Sequence, residues 1–147
     1  RIIGVTEELS AQDIYQLGKE IEPFVIASGT RMGHVHLSVK NSREASAFYQ
    51  ESLGLEDKFT IPHASWIASG AYHHHLAVNE WGGKNLAARG QGMAGLAYYV
   101  VEVENKEELL RLFSQSQGSE ATTQWLSAAE FRITDSDGIV ARIRVRN

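Results

Sequence analysis

The sequence predicts an α+β domain of two βαβββ modules whose strands form a concave mixed sheet around a cleft. Three observations carry this. Strict two-residue alternation runs from Met32 to Val39, an amphipathic helical pattern follows and stops at Gly54, and the same order of patterns returns after residue 93. A duplicated module accounts for the repeat more economically than one irregular sheet. Each helix covers one face of its sheet and leaves the other free, and two free faces make a cleft.

Residues 1–31 read differently from the rest. Ser10 caps a helix through Ile14, Leu17 and Ile21 that Pro23 limits, so this stretch is expected to be a linker or docking helix. The domain proper spans 32–147, with modules at about 32–81 and 93–147. In the first strand Val35, Leu37 and Val39 share one face, and His34, His36 and Ser38 the other. Asn41 or Ser42 caps the next helix, and strands are expected at 56–61, 65–68 and 72–79. A glycine-rich connection from Gly82 to Gly92 breaks the periodicity. Module two then reads as a strand at 96–103, a helix from Lys106 to about Ser116, and strands at 122–126, 131–134 and 139–145.

Composition removes several function classes. Acidic residues number 18 against 14 basic, a net charge of -4, so no basic field attracts nucleic acid. There are no cysteines, which excludes disulfides, thiolate chemistry and cysteine-ligated zinc. No apolar run reaches membrane-spanning length and no signal-peptide pattern opens the chain, so a cytoplasmic home is the simplest expectation. The sequence begins at Arg1, without methionine, and reads as part of a longer protein. The expected partners are an N-terminal domain of that protein, a second copy in a homodimer through the helix at Ser10, and a small aromatic or polar ligand.

The strand Gly33-His34-Val35-His36-Leu37-Ser38-Val39, the helical segment Ser46-Ala47-Phe48-Tyr49 and the following Leu53-Gly54-Leu55 resemble the module opening of the vicinal-oxygen-chelate superfamily. That superfamily includes glyoxalase I, the bleomycin-resistance proteins and the extradiol dioxygenases. Asp135-Ser136-Asp137-Gly138 resembles the Asp-Pro-Asp-Gly turn before the last strand of these domains, with Ser136 replacing proline. The run from Tyr72 to Trp81, with His73, His74 and His75, is similar to the C-terminal domain of two-domain bacterial catechol-2,3-dioxygenase-like proteins of the glyoxalase family. The resemblance implies a parent that cleaves catechol-like aromatics with dioxygen at a non-haem iron. It also implies a metal triad of two His and one Glu, whose positions fall here at His34, Tyr98 and Arg142. Tyr98 and Arg142 are not usual ligands, so the catalytic metal is expected in the N-terminal domain, with packing or ligand binding left to this one.

Alternation independently puts Tyr98 opposite Tyr99 and Val101, and Arg142 opposite Ala141 and Ile143, so both are expected to face the cleft. With His36 they make a ligand-binding set, because a guanidinium fork matches a carboxylate. The histidines suggest a second arrangement. His34 and His75 are the candidate metal ligands, with His36 nearby, His73 on the same face as an alternative to His75, and His74 in its place if the strand carries a bulge. Iron, manganese or zinc would suit that site, and a domain without a metal fits the sequence equally well. Three readings therefore stand open: a packing and ligand-binding domain, a metal-free binding module of the bleomycin-resistance type, and a metalloenzyme with Tyr98 as acid or base. His63, in a turn after Pro62, reads as a solvated loop residue. Trp66, Trp81 and Trp125 read as core or cleft-wall residues.

Overall fold

A computed structural model describes residues 9–18, 23, 25–83, 86, 87, 90, 92–119 and 121–146. The chain divides into two compact units, Arg1–Gly33 and His34–Asn147. The first holds α1 (Ala11–Leu17). Ser10 Oγ accepts the Asp13 N–H at 3.3 Å, and Gly18 N–H closes on the Ile14 carbonyl at 2.9 Å. The helix ends there because Gly18 is extended (ψ 147°), earlier than the pattern through Ile21 suggests; Ile21 lies outside the described residues.

The second unit repeats βαβββ. Module one comprises β1 (Val35–Ser38), α2 (Ser42–Leu53), β2 (Glu56–Ile61), β3 (Ala64–Ala68) and β4 (Leu76–Asn79). Module two comprises β5 (Tyr99–Val103), α3 (Lys106–Gln117), β6 (Thr122–Ser127), β7 (Glu130–Thr134) and β8 (Val140–Val145). Two four-stranded mixed sheets result, ordered β1-β4-β3-β2 and β5-β8-β7-β6. In each, the first and last strands of the module pair in parallel, and the remaining pairs are antiparallel. Both helices start on asparagine: Asn41 Oδ1 accepts from the N–H groups of Arg43 and Glu44, and Asn105 Oδ1 from that of Glu108. Glycines follow both, at Gly54 and Gly118.

One apolar cluster runs through both modules. Leu37 and Val39 of module one, Tyr49 of α2, Leu109 of α3, and Phe131, Ile133 and Ile143 of module two all belong to it. Full burial of each such aliphatic or aromatic side chain is worth roughly 1.5–3 kcal/mol. The core holds the strand register: a one-residue slip of β8 would exchange Ala141 and Ile143 for Arg142 and Arg144. Two strands are shorter than their patterns. β4 starts at Leu76 rather than Tyr72, since bends at His73 and His75 precede it, and β5 starts at Tyr99 rather than Leu96, after an irregular stretch that follows the bend at Gly95. The β4 difference frees His73 and His74 from strand alternation.

Candidate functional site

Parallel pairing of β1 with β4 sets Val35 opposite Leu76 and His36 opposite Ala77. It carries His34, just before β1, and His36, on its open face, against the loop that enters β4. There His34 meets His74 with ring centroids 4.3 Å apart and His73 at 5.8 Å, and the candidate ligand nitrogens of His34, His73 and His74 lie within 4.8 Å of one another. His36 Nε2 stands 3.3 Å from His74 Nε2. Burial, followed by the charges of His34, His73, His36 and His75, pushes His74 down to about 4. Burial and His34 also lower His36, and burial, His73 and Lys58 lower His75. Neutral rings are the form that coordinates metals.

His75 is placed apart from that group. Its Nδ1 accepts the Ser69 N–H at 3.2 Å, and its ring lies 4.6 Å from that of Tyr72. The structure thus brings His34 together with His73, His74 and His36, and directs His75 toward the end of β3. His63, exposed in the turn between β2 and β3, has its Nδ1 3.3 Å from Glu80 Oε2. Glu80 also accepts the Ser42 N–H at 2.9 Å and the Ser42 hydroxyl at 2.8 Å, tying the end of β4 to the start of α2. Of the tryptophans, Trp66 is half-buried and stacks with Phe59 at 5.4 Å, Trp125 packs on Phe113 at 4.5 Å, and Trp81 is exposed, 6.3 Å from His36.

On module two, Tyr98 and Arg142 meet as alternation requires. The guanidinium carbon sits 4.6 Å from the Tyr98 ring centroid, a cation–π contact, while Arg142 Nε donates to Glu130. That hydrogen bond, with the charge of Glu130 behind it, raises the Arg142 pKa. Arg132 lies opposite Arg142 in the β7–β8 register and Gln124 opposite Arg132 in the β6–β7 register, giving a row of donors across the open face. Among the described residues Arg132 has no ion-pair or hydrogen-bond partner. Sequence alternation indicates this row, but its significance needs the strand order. His36 is separate from it and borders a recess of about 560 Å³ with Ser38, Lys40, Leu96 and Asp137, which neither Tyr98 nor Arg142 lines.

Two mixed four-stranded sheets from a repeated βαβββ unit, each with a helix on one face, define the glyoxalase class of α+β domain. The chain belongs to the glyoxalase/bleomycin resistance protein/dioxygenase superfamily, whose family model matches residues 31–143. Over 86 residues it is 36% identical to the catechol-2,3-dioxygenase of Bacillus subtilis (strain 168), a match covering 57% of this chain and 30% of that relative. Among solved structures, it is similar to lactoylglutathione lyase from Agrobacterium tumefaciens, with a TM-score of 0.59 and 14% identity over 81% of this chain and 96% of that one. It is also similar to the genomically encoded fosfomycin resistance protein FosX from Listeria monocytogenes, with a TM-score of 0.55 and 14% identity over 80% and 94%. These structural likenesses bear on the fold.

Metals are common in this superfamily, and the resemblance places its triad at His34, Tyr98 and Arg142. Tyr98 is not a usual divalent-metal ligand, and Arg142 does not fit a divalent cation. Arg142 is a permanent cation held in place by Glu130 and the Tyr98 ring, and its guanidinium has no lone pair to give.

Proposed function

We propose that this chain is the ligand-binding and packing domain of a longer glyoxalase/dioxygenase-type metalloprotein whose catalytic metal is held in another domain. The observation that carries this reading is the Arg142–Tyr98–Glu130 arrangement, which puts a fixed cation where the resemblance calls for a metal ligand. The name of the Bacillus subtilis relative and the 30% of its length that is matched support a parent with oxidative activity on catechol-like aromatics. Arg132, Arg142 and Gln124 supply donors for a carboxylate, and Tyr98 and Val100, both exposed, supply an apolar surface for a ring. A small aromatic acid suits this face. Tyr98 then serves as a ring-facing contact rather than as an acid or base.

Isothermal titration calorimetry with benzoate, on metal-free protein, tests the binding part. Saturable binding that falls at least about tenfold in Arg142→Met, equivalent to about 1.4 kcal/mol, is the expected result. Binding unaffected by Arg142→Met removes the ligand face from consideration. Incubation with catechol and ferrous ion in air tests the catalytic part: no ring-cleaved product is expected, and turnover by this chain would overturn the reading.

A further inference from the structure

We propose that His34, His73 and His74 form a divalent transition-metal site contained within module one. Their candidate ligand nitrogens already lie within 4.8 Å of one another. Imidazoles on a tetrahedral zinc-type ion, at about 2.0–2.1 Å each, stand about 3.3 Å apart, so an ion at the centre closes each pair by at most about 1.5 Å. His34 and His73 are exposed and His74 is half-buried, which leaves the first two room for that adjustment and gives the third a defined position.

What distinguishes this site from a chance run of histidines is the source of its ligands. His73 and His74 are neighbours in the loop before β4, whereas His34 precedes β1 and arrives only through the parallel β1–β4 pairing. His75, the third member of the run, is turned away and committed to the Ser69 N–H. His36, with Nε2 3.3 Å from His74 Nε2, is a positioning residue that sets the orientation of the His74 ring.

The donor set specifies the chemical class of the ion. The described residues of the group are all imidazoles, with no carboxylate among them. Such a set favours zinc, nickel or copper over magnesium, calcium or manganese. With three protein ligands, one tetrahedral position remains for water or a small-molecule donor. The site does not rest on the ligand face of module two, which draws on different strands.

Untagged, chelator-washed protein titrated with zinc, followed by elemental analysis of the gel-filtered product, tests the proposal. The expected result is one zinc per chain, with affinity about 100-fold or more lower in His34→Ala and in His74→Ala, and roughly tenfold lower in His36→Ala. His75→Ala is expected to bind as the unsubstituted chain does. Circular dichroism and urea unfolding establish that each variant is folded, and the exposed His34 is the safest of the three ligands to remove. The proposal is overturned if no stoichiometric zinc is retained. It is also overturned if His34→Ala binds normally while His75→Ala loses affinity, because a loop run chelating by itself behaves that way. Benzoate binding in the metal-free state reports separately on the module-two face.

Discussion

The Tyr49 hydroxyl donates to Asp135 Oδ2 at 2.6 Å, joining α2 of module one to the turn before β8 of module two. Both residues are buried. The other oxygen of Asp135 accepts the N–H groups of Asp137 at 3.0 Å and Ile139 at 2.8 Å, so one carboxylate both shapes the turn and ties the modules together. Burial raises the Asp135 pKa, while Tyr49 and the two backbone donors oppose that rise. Tyr49→Phe leaves the shape of the core unchanged but takes a donor from a buried carboxylate, and is expected to cost about 2 kcal/mol in urea unfolding.

Tyr99 should respond in the opposite direction. Its hydroxyl is buried with no hydrogen bond of good geometry among the described residues; the Tyr49 hydroxyl, which donates to Asp135, is the polar group that interacts with it. Tyr99→Phe removes a desolvated hydroxyl whose interaction with Tyr49 is weak in geometry, so its stability is expected to equal or exceed that of the unsubstituted chain by up to about 1 kcal/mol. A clear loss of stability in Tyr99→Phe would mean that the hydroxyl is satisfied in solution, for example by a water molecule.

Glu80 governs part of the acid response. Hydrogen bonds from the Ser42 backbone and hydroxyl, with a smaller contribution from His63, hold its pKa below the ordinary carboxylate value. A depressed folded-state pKa contributes stability that is present above the unfolded value of about 4.3 and is lost as pH falls through the folded value. The difference in melting temperature between the unsubstituted chain and Glu80→Gln is therefore expected to be largest near neutral pH and to shrink progressively below about pH 4. A difference that does not vary with pH would remove Glu80 from the acid-sensitive groups. Asp135 acts in the other sense: its raised pKa makes its contribution greatest in acid, diminishing as pH rises through the folded value.

The architecture was legible because it depends on periodicity. Alternation in β1, β5 and β8 placed Leu37, Tyr99 and Ile143 inside and Tyr98 and Arg142 outside, and the repeated order of patterns indicated two βαβββ modules. The candidate site was legible only in part. Alternation extended back to Tyr72 puts His73 and His75 on one face, but β4 begins at Leu76, and the bends before it bring His74 beside His34 instead. Loop conformation of that kind depends on local turns rather than on a repeating pattern. The contacts of Glu80 with Ser42 and of Tyr49 with Asp135 were not visible either. Each joins residues far apart in the chain, and neither side chain carries a local sequence signal for its partner.

The two helices also show how a repeated motif can hide a physical difference. Gly54 ends α2 with φ 65° and ψ 28°, in the left-handed region, whereas Gly118 ends α3 with φ -81° and ψ -10°, a conformation open to any residue. A Cβ at Gly54 would come within 3.4 Å only of the flexible end of Arg111, so the cost there is in the backbone rather than in packing. A Cβ at Gly118 would meet the Gln115 carbonyl at 3.5 Å, an ordinary contact. Gly54→Ala is therefore expected to destabilise by about 1 kcal/mol, against the few tenths to 1 kcal/mol gained from stiffening the unfolded chain at Gly118→Ala. Paired urea titrations at one pH compare the two substitutions directly. Equal effects would mean that the helix ends share one conformation in solution, and opposite signs would show that only the module-one helix requires glycine at its end.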